Sequence, residues 1–327
     1  MPLAPADPDT EWARIVAALS RRGFLGAGAA VAGMLLAGCG TGPGTDTADT
    51  GTVGETVGTT VGDRRAVVPA DPQRVVVVEA RAGLEFALLA GYPVVASDWD
   101  DDSHLVAMLP DGTARLPGDN MTPDPEGILN HDPDLLVVGR AWWEYYQEQG
   151  SLSEDIAPVL VADDTTADWR AVMTRQLTEI GRADRARAAL DRYDDRVARA
   201  RAELAPLLAG RTVAMLGVDA DGFWTFPNMF PSNVATEIGF DLIGHDPAAA
   251  PQIVRLSAEH LDTYRDADLL VVQNPDDPGA QNPAFAALPA ARAGRIVELE
   301  YANRFGFALT ALDLVEDLTA GVVRHLG

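Results

Sequence analysis

The chain has a single cysteine, Cys39, and no lysine among its 327 residues. One cysteine excludes an internal disulfide framework, so stability must come from burial in a core. All 25 basic residues are arginines, set against 49 acidic ones, and the formal net charge is −24. So acidic a chain is a poor partner for nucleic acid, and an anionic ligand would need a local cluster of those arginines. No nucleophile elbow, phosphate-binding Gly-rich loop or dinucleotide fingerprint occurs, which leaves an enzyme reading without a residue to rest on. His131, His245, His260 and His325 show no metal-ligand spacing.

What is present begins at the N-terminus. Arg21-Arg22 precedes an apolar run from Phe24 to Ala37, too short for a membrane span and of the length of an export signal. The run ends in Leu36-Ala37-Gly38-Cys39, small residues before the lone thiol, a pattern that resembles the lipobox of an acylated lipoprotein. Two or more hydrocarbon chains on Cys39 would tether the mature protein stably to the outer side of the cell membrane. Residues 1–38 are therefore expected to be a twin-arginine lipoprotein signal. Their removal deletes Asp7, Asp9 and Glu11 together with Arg14, Arg21 and Arg22, so the charge stays at −24.

From Cys39 onward roughly 290 residues remain, a length that suits two lobes. Residues 39–66 are rich in Gly and Thr and are expected to be a flexible tether. Over 67–166 strand and helix patterns alternate: Val75–Val78, the helical stretch Ala82–Ala90, Val94–Ala96, a short helix at Pro125–Asn130, Leu135–Val138 and Pro158–Val161. Continuous β-branched runs indicate strands covered on both faces, and the alternation argues for a parallel α/β lobe. Residues 167–209 read as a connecting helical segment. Within it, 183–208 carries no glycine and places Leu190, Tyr193, Val197, Ala200, Leu204 and Leu207 on one stripe, which predicts one helix of about 39 Å with Pro206 near its end. Residues 210–327 repeat the alternation, with strands at Val213–Leu216, Leu269–Val272 and Ile296–Leu299 and helices at Ser232–Ile238 and Phe307–His325. The two halves share a phrase. Pro125-Glu126-Gly127-Ile128-Leu129 precedes Asp134–Val138, and Ala258-Glu259-His260-Leu261 precedes Asp268–Val272, which predicts comparable places for each pair.

The segments RVVVVEARAGLEFALLAGYPVVA, PDPEGILNHDPDLLVVG, GRADRARAALDRY and LSAEHLDTYRDADLLVV stand in this order behind the lipoprotein-like signal. Together they resemble the class III substrate-binding lipoproteins of ABC importers, a family that carries ferric siderophores, cobalamin and haem. The resemblance covers residues 67–327. It implies an α/β fold of two Rossmann-like lobes with central parallel sheets, joined by one long rigid helix, with the ligand cleft between the lobes. It further implies delivery of the ligand to a dimeric permease, with no enzymatic activity and no resident cofactor. The stripe of 183–208 is expected to pack on its own lobes and leave a monomer, a coiled-coil oligomerisation helix being the alternative. Glu126 and Glu259, each at a helix start, match the family's docking glutamates that meet arginines of the permease.

In parallel α/β lobes ligands sit beyond the carboxyl ends of strands. Arg81, Trp99, Arg140, Trp142, Trp143, Phe223, Trp224, Tyr301 and Arg304 all follow predicted strands and form the expected ligand set. Guanidinium groups with flat aromatic walls suit an anionic ferric chelate, a ferric siderophore in this family. Cobalamin or haem is the alternative on the same fold. The run Asp98–His104 reads as a solvated loop more often than a metal site. A metal-dependent surface enzyme using Asp100, Asp101, Asp102 and His104 is the alternative of a different class.

Overall fold

The computed structural model describes residues 55–101, 103–119, 121–219, 222–275 and 278–327, with the side chains of Asp119, Pro278, Tyr301 and Ala302 outside the description. The export signal, Cys39, the tether up to residue 54 and Asp102 also lie outside the described residues. Gly54–Gly327 forms one compact unit.

The first described element falls in the stretch expected to be tether. β1 (Thr56–Val61) and β2 (Arg64–Pro69) pair antiparallel through a turn at Gly62, whose φ is 54°. The cause lies in the β-branched residues between the glycines. Thr59 and Val61 turn inward and are buried, and the Thr60 N–H donates to Glu179 at 3.0 Å. Five parallel strands follow. β3 (Val75–Val77) leads into α1 (Ala82–Ala90), β4 (Val94–Ser97) and β5 (Ala114–Arg115). A small antiparallel pair, β6 (Gly118–Asp119) and β7 (Thr122–Pro123), precedes α2 (Pro125–Leu129), β8 (Leu135–Gly139), α3 (Arg140–Gln149) and β9 (Val159–Ala162). The sheet order is β5-β4-β3-β8-β9. α3 replaces the strand-end loop read from the sequence. Its first N–H, on Arg140, donates to the Asp164 carboxylate at 3.1 Å, and Trp143 and Tyr146, one turn apart, face inward.

α4 (Trp169–Glu179) starts at Asp168, which accepts the Ala171 N–H at 3.0 Å. α5 (Ala183–Leu208) spans the range predicted for the long helix, and Pro206 sits in its last turn without ending it. Ala186, Tyr193, Ala200, Leu204 and Leu208 are buried, with Leu190, Val197 and Leu207 packed beside them on the same core.

The second sheet is mixed. β10 (Val213–Asp219) returns directly as β11 (Gly222–Thr225), followed by α6 (Phe230–Glu237), β12 (Val254–Leu256), a 3₁₀ helix (Ala258–Tyr264) and β13 (Leu269–Gln273). Short helices α7 (Pro283–Ala286) and α8 (Pro289–Arg292), β14 (Ile296–Glu298) and α9 (Ala308–Leu326) complete it. The order is β12-β11-β10-β13-β14, with β10, β13 and β14 parallel and β11 and β12 antiparallel. The β10–β11 connection is too short for a crossover helix, so β11 can only pair antiparallel. The shared phrase holds its predicted places: α2 leads into β8 beside β3, and the 3₁₀ helix leads into β13 beside β10.

Buried polar contacts join the two sheets' surroundings. Glu85 on α1 is fully buried and accepts the N–H groups of Phe307 (2.7 Å), Leu309 (2.6 Å) and Thr310 (3.0 Å), and the Thr310 hydroxyl at 2.7 Å. These are the open donors at the N-terminus of α9, more than 220 residues away in sequence. Burial pushes the Glu85 pKa up, against the downward pull of the Thr310 hydroxyl and the backbone donors. On the other side of α5, Trp169 packs edge-on against Tyr193 and Phe230 with centroids 5.1 and 5.8 Å away. Arg170 there bridges Asp194 (2.6 Å) and Glu237 (3.1 Å).

Three variants test the buried carboxylates Glu85 and Glu79. Glu85→Ala leaves three backbone donors without an acceptor and lowers the unfolding free energy by roughly 3 kcal/mol in urea, with Glu85→Gln losing less. Glu79, before α1, accepts the Arg81 N–H at 2.7 Å and the Gly83 N–H, and burial raises its pKa to about 7. A carboxyl raised in the folded state binds its proton there first, so stability is gained as pH falls from about 8 toward 5. Thermal melts across that range should show a gain of roughly 2 kcal/mol in the parent over Glu79→Gln.

Candidate functional site

A cavity of about 250 Å³ lies beyond the carboxyl end of β9, against the segments that follow β11 and precede β12 in the second sheet. Asp164, Thr165 and Thr166 line it from the segment after β9. Met229 and Phe230 at the start of α6, Pro251, Gln252 and Ile253 ahead of β12, and Phe305 ahead of α9 close it from the other side. Its walls are thus mostly apolar, with a few neutral hydrogen-bonding groups and one carboxylate.

Asp164, two residues past β9, is held by the first turn of α3. It accepts the Arg140 N–H at 3.1 Å, and burial raises its pKa to about 6 despite the backbone donors that pull it down. Glu79 stands beside it across Gly139, where a Cβ would meet both carboxylates, and after burial the Asp164 charge is the next cause of Glu79's raised proton affinity. At pH 7.5 Asp164 is ionised.

The arginines expected to carry the ligand are engaged within the protein. Arg140 donates to Glu144 at 2.8 Å and to Asp163 at 3.3 Å. Arg81 lies 3.9 Å from Asp100. Arg304 is half-buried with its guanidinium 5.3 Å over the Phe305 ring. Trp99 is half-buried, donates to Asp101 at 3.2 Å and lies under Arg115, itself paired with Asp101 at 2.9 Å. Trp142 is half-buried and stacks on Tyr146 with centroids 5.8 Å apart.

Three of the expected aromatics belong to the interior. Phe223 is 1% exposed and stacks on Phe285, with a 12° interplanar angle. Trp143 is buried beneath the Arg64 guanidinium, 5.2 Å from its ring centroid. Trp224 is buried over Gly217, where any Cβ would strike the indole, and Arg255 covers its outer face at 5.1 Å. Phe223 and Trp224 are neighbours on β11, so alternation sends them to opposite faces, both covered. None of the expected residues with a described side chain lines the cavity. Tyr301 lies in the 3₁₀ helix Tyr301–Arg304. The lining residues Asp164, Thr165 and Thr166 follow β9 as the others follow their strands. The same strand-end rule therefore reaches them, although nothing apolar or basic marks them in the sequence.

In the Asp98–His104 run, His104 turns to α9. Its Nδ1 is 3.4 Å from Asp313 and its Nε2 is 3.4 Å from the Thr310 hydroxyl. Among the described residues no group of three or more acidic or histidine side chains is placed to hold a metal ion. Glu126 is exposed one residue after Pro125, with its N–H capped by Asp124 at 3.1 Å. Glu259 is exposed in the first turn of the 3₁₀ helix.

No curated protein sequence is significantly similar to the chain. Solved structures are similar in fold. The siderophore binding protein FhuD from Vibrio cholerae, bound to Fe³⁺-Desferal, is 18% identical with a TM-score of 0.60, covering 78% of this chain and 100% of that one. SirA from Staphylococcus aureus, complexed with staphyloferrin B, is 19% identical with a TM-score of 0.63, covering 82% and 99%. A siderophore periplasmic binding protein of Thermobifida fusca is 23% identical with a TM-score of 0.55, covering 78% and 98%. The profile described as periplasmic binding protein matches residues 86–302, two-thirds of the sequence, and with strands, helices and cleft placed as above the chain belongs to that family of binding proteins, not enzymes.

Proposed function

We propose that the protein is an extracytoplasmic, lipid-anchored receptor that captures a ferric siderophore in the cleft and delivers it to an ABC permease. The observation that supports the reading is the cavity between the segment after β9 and the segments beside β11 and β12, in a fold shared with proteins solved with ferric siderophores bound. Arg81, Arg304, Trp99 and Trp142, half-buried around the strand ends, are proposed to frame the ligand outside the lining residues, and Tyr301 to join them from its 3₁₀ helix. No helix among the described residues is long and apolar enough to cross a membrane. The proposed anchor is acylated Cys39, and the described body acts as a monomer because α5 buries its stripe on its own chain.

Glu85 ties α1 to α9, and Trp169 and Arg170 tie α4 to α5 and α6, so little lobe motion accompanies capture. Titration with a panel of ferric chelates, cobalamin and haem tests the ligand class. A ferric chelate should quench tryptophan fluorescence saturably while the X-ray scattering curve stays unchanged; saturation by cobalamin or haem alone would replace the ligand class.

Glu126 and Glu259 are proposed to dock on two basic patches of a dimeric permease. Both are exposed and precede corresponding strands, β8 and β13. Charge pairs of this kind set orientation and encounter rate. The double variant Glu126→Arg/Glu259→Arg should bind the chelate with parental affinity and abolish uptake in cells that depend on it. Undiminished uptake would remove the docking role, and lost affinity would place these residues at the cleft.

A further inference from the structure

We infer that the cleft selects neutral or cationic ferric chelates, of the tris-hydroxamate type, over anionic tris-catecholates, because the charged side chain on the cavity lining is a carboxylate, Asp164. The inference rests on the proposed capture of a ferric chelate and adds the charge and donor class of that ligand.

Three observations support it. The lining beside Asp164 is neutral: Thr165, Thr166 and Gln252 supply hydroxyl and amide groups, and Met229, Phe230, Ile253 and Phe305 supply apolar walls. The Thr166 hydroxyl is buried there without a hydrogen-bond partner. A hydroxamate chelate presents amide carbonyls and methylene spacers, which match such a surface in hydrogen bonding and in burial.

Arg140, whose backbone N–H donates to Asp164, carries its own counter-charges in Glu144 and Asp163. Arg81 faces Asp100. Drawing either of these onto an anionic ligand means breaking an existing pair, and it uncovers a carboxylate near the cleft.

Behind Asp164 stands a second carboxyl, Glu79, so the floor offers acid on acid. Three hydroxamates neutralise ferric iron, and a pendant ammonium makes such a chelate cationic. Three catecholates leave a trianion. Repulsion from an ionised carboxylate scales with ligand charge, and it is strongest in a partly desolvated cavity. The arrangement therefore penalises the trianion and favours the cation.

The experiment is equilibrium dialysis of the whole soluble chain at pH 7.5 and low salt with radio-labelled ferrioxamine B, ferric acetohydroxamate and ferri-bacillibactin. Ferrioxamine B should bind at least about tenfold tighter than ferri-bacillibactin, and the gap should shrink as salt screens the charges. Asp164→Asn should narrow the gap. Because that side chain also caps α3, Thr166→Arg provides a second test on the lining itself: it should weaken ferrioxamine B and strengthen ferri-bacillibactin. Equal or tighter binding of ferri-bacillibactin by the parent, or a Thr166→Arg variant with unchanged preference, overturns the charge inference alone. Failure of all three chelates to bind overturns the ferric-chelate reading together with it.

Discussion

A single carboxylate, Glu85, ties α1 to the first turn of α9 and so holds together the two halves of the chain. Burying a carboxylate is costly, and here three backbone donors, a hydroxyl and the positive end of a 19-residue helix offset that cost. Both α1 and α9 also pack against α5. The Trp169 and Arg170 contacts act at a second point along the same helix. Two separated attachments on one rigid spine fix the spacing of the two sheets, which is what the proposed capture on a preformed surface requires.

The helix starts around the cleft follow one device. Glu79 meets the open N–H groups of α1, Asp164 those of α3, and Asp168 those of α4. Each satisfies a fold requirement, since the donors of a buried first turn need acceptors. The device also has a functional consequence. In a parallel sheet the following helix begins at the ligand-facing edge, so carboxylates recruited as caps collect at the cleft floor. Burial, with the Asp164 charge beside it, raises Glu79 to about 7, and burial, with the Asp163 charge, raises Asp164 to about 6.

Much of the architecture is legible in the residue pattern because its elements are long or strongly periodic. α5 over 183–208 follows from one apolar stripe without glycine, and the valine- and leucine-rich runs of β3, β8 and β13 follow from burial on both faces. Short or polar-looking elements are harder to see. β1 hides in a Gly/Thr-rich stretch because alternate Thr and Val residues suffice to cover one side of the core. α3 hides because its aromatic, charged composition resembles a binding loop, whereas its start depends on Asp164, 24 residues later. The antiparallel β11 and β12 depend on a connection length that composition does not reveal.

The α/β alternation and the spine helix follow from periodicity and chain direction alone, as does the expectation that a ligand site lies beyond strand ends. Tertiary structure decided which side chains reach that site. Phe223, Trp143 and Trp224 read as ligand-facing aromatics, yet strand alternation and helix phase turn them into the interior or beneath arginines. Arg81 and Arg140 read as a basic pocket, yet each has a carboxylate brought beside it by the fold, and long guanidinium side chains turn to the nearest counter-charge. Asp164, Thr165 and Thr166 carry no local mark of function and line the cavity because β9 ends there. Side-chain partnership is a property of positions distant in sequence and adjacent in space, and no local pattern encodes it.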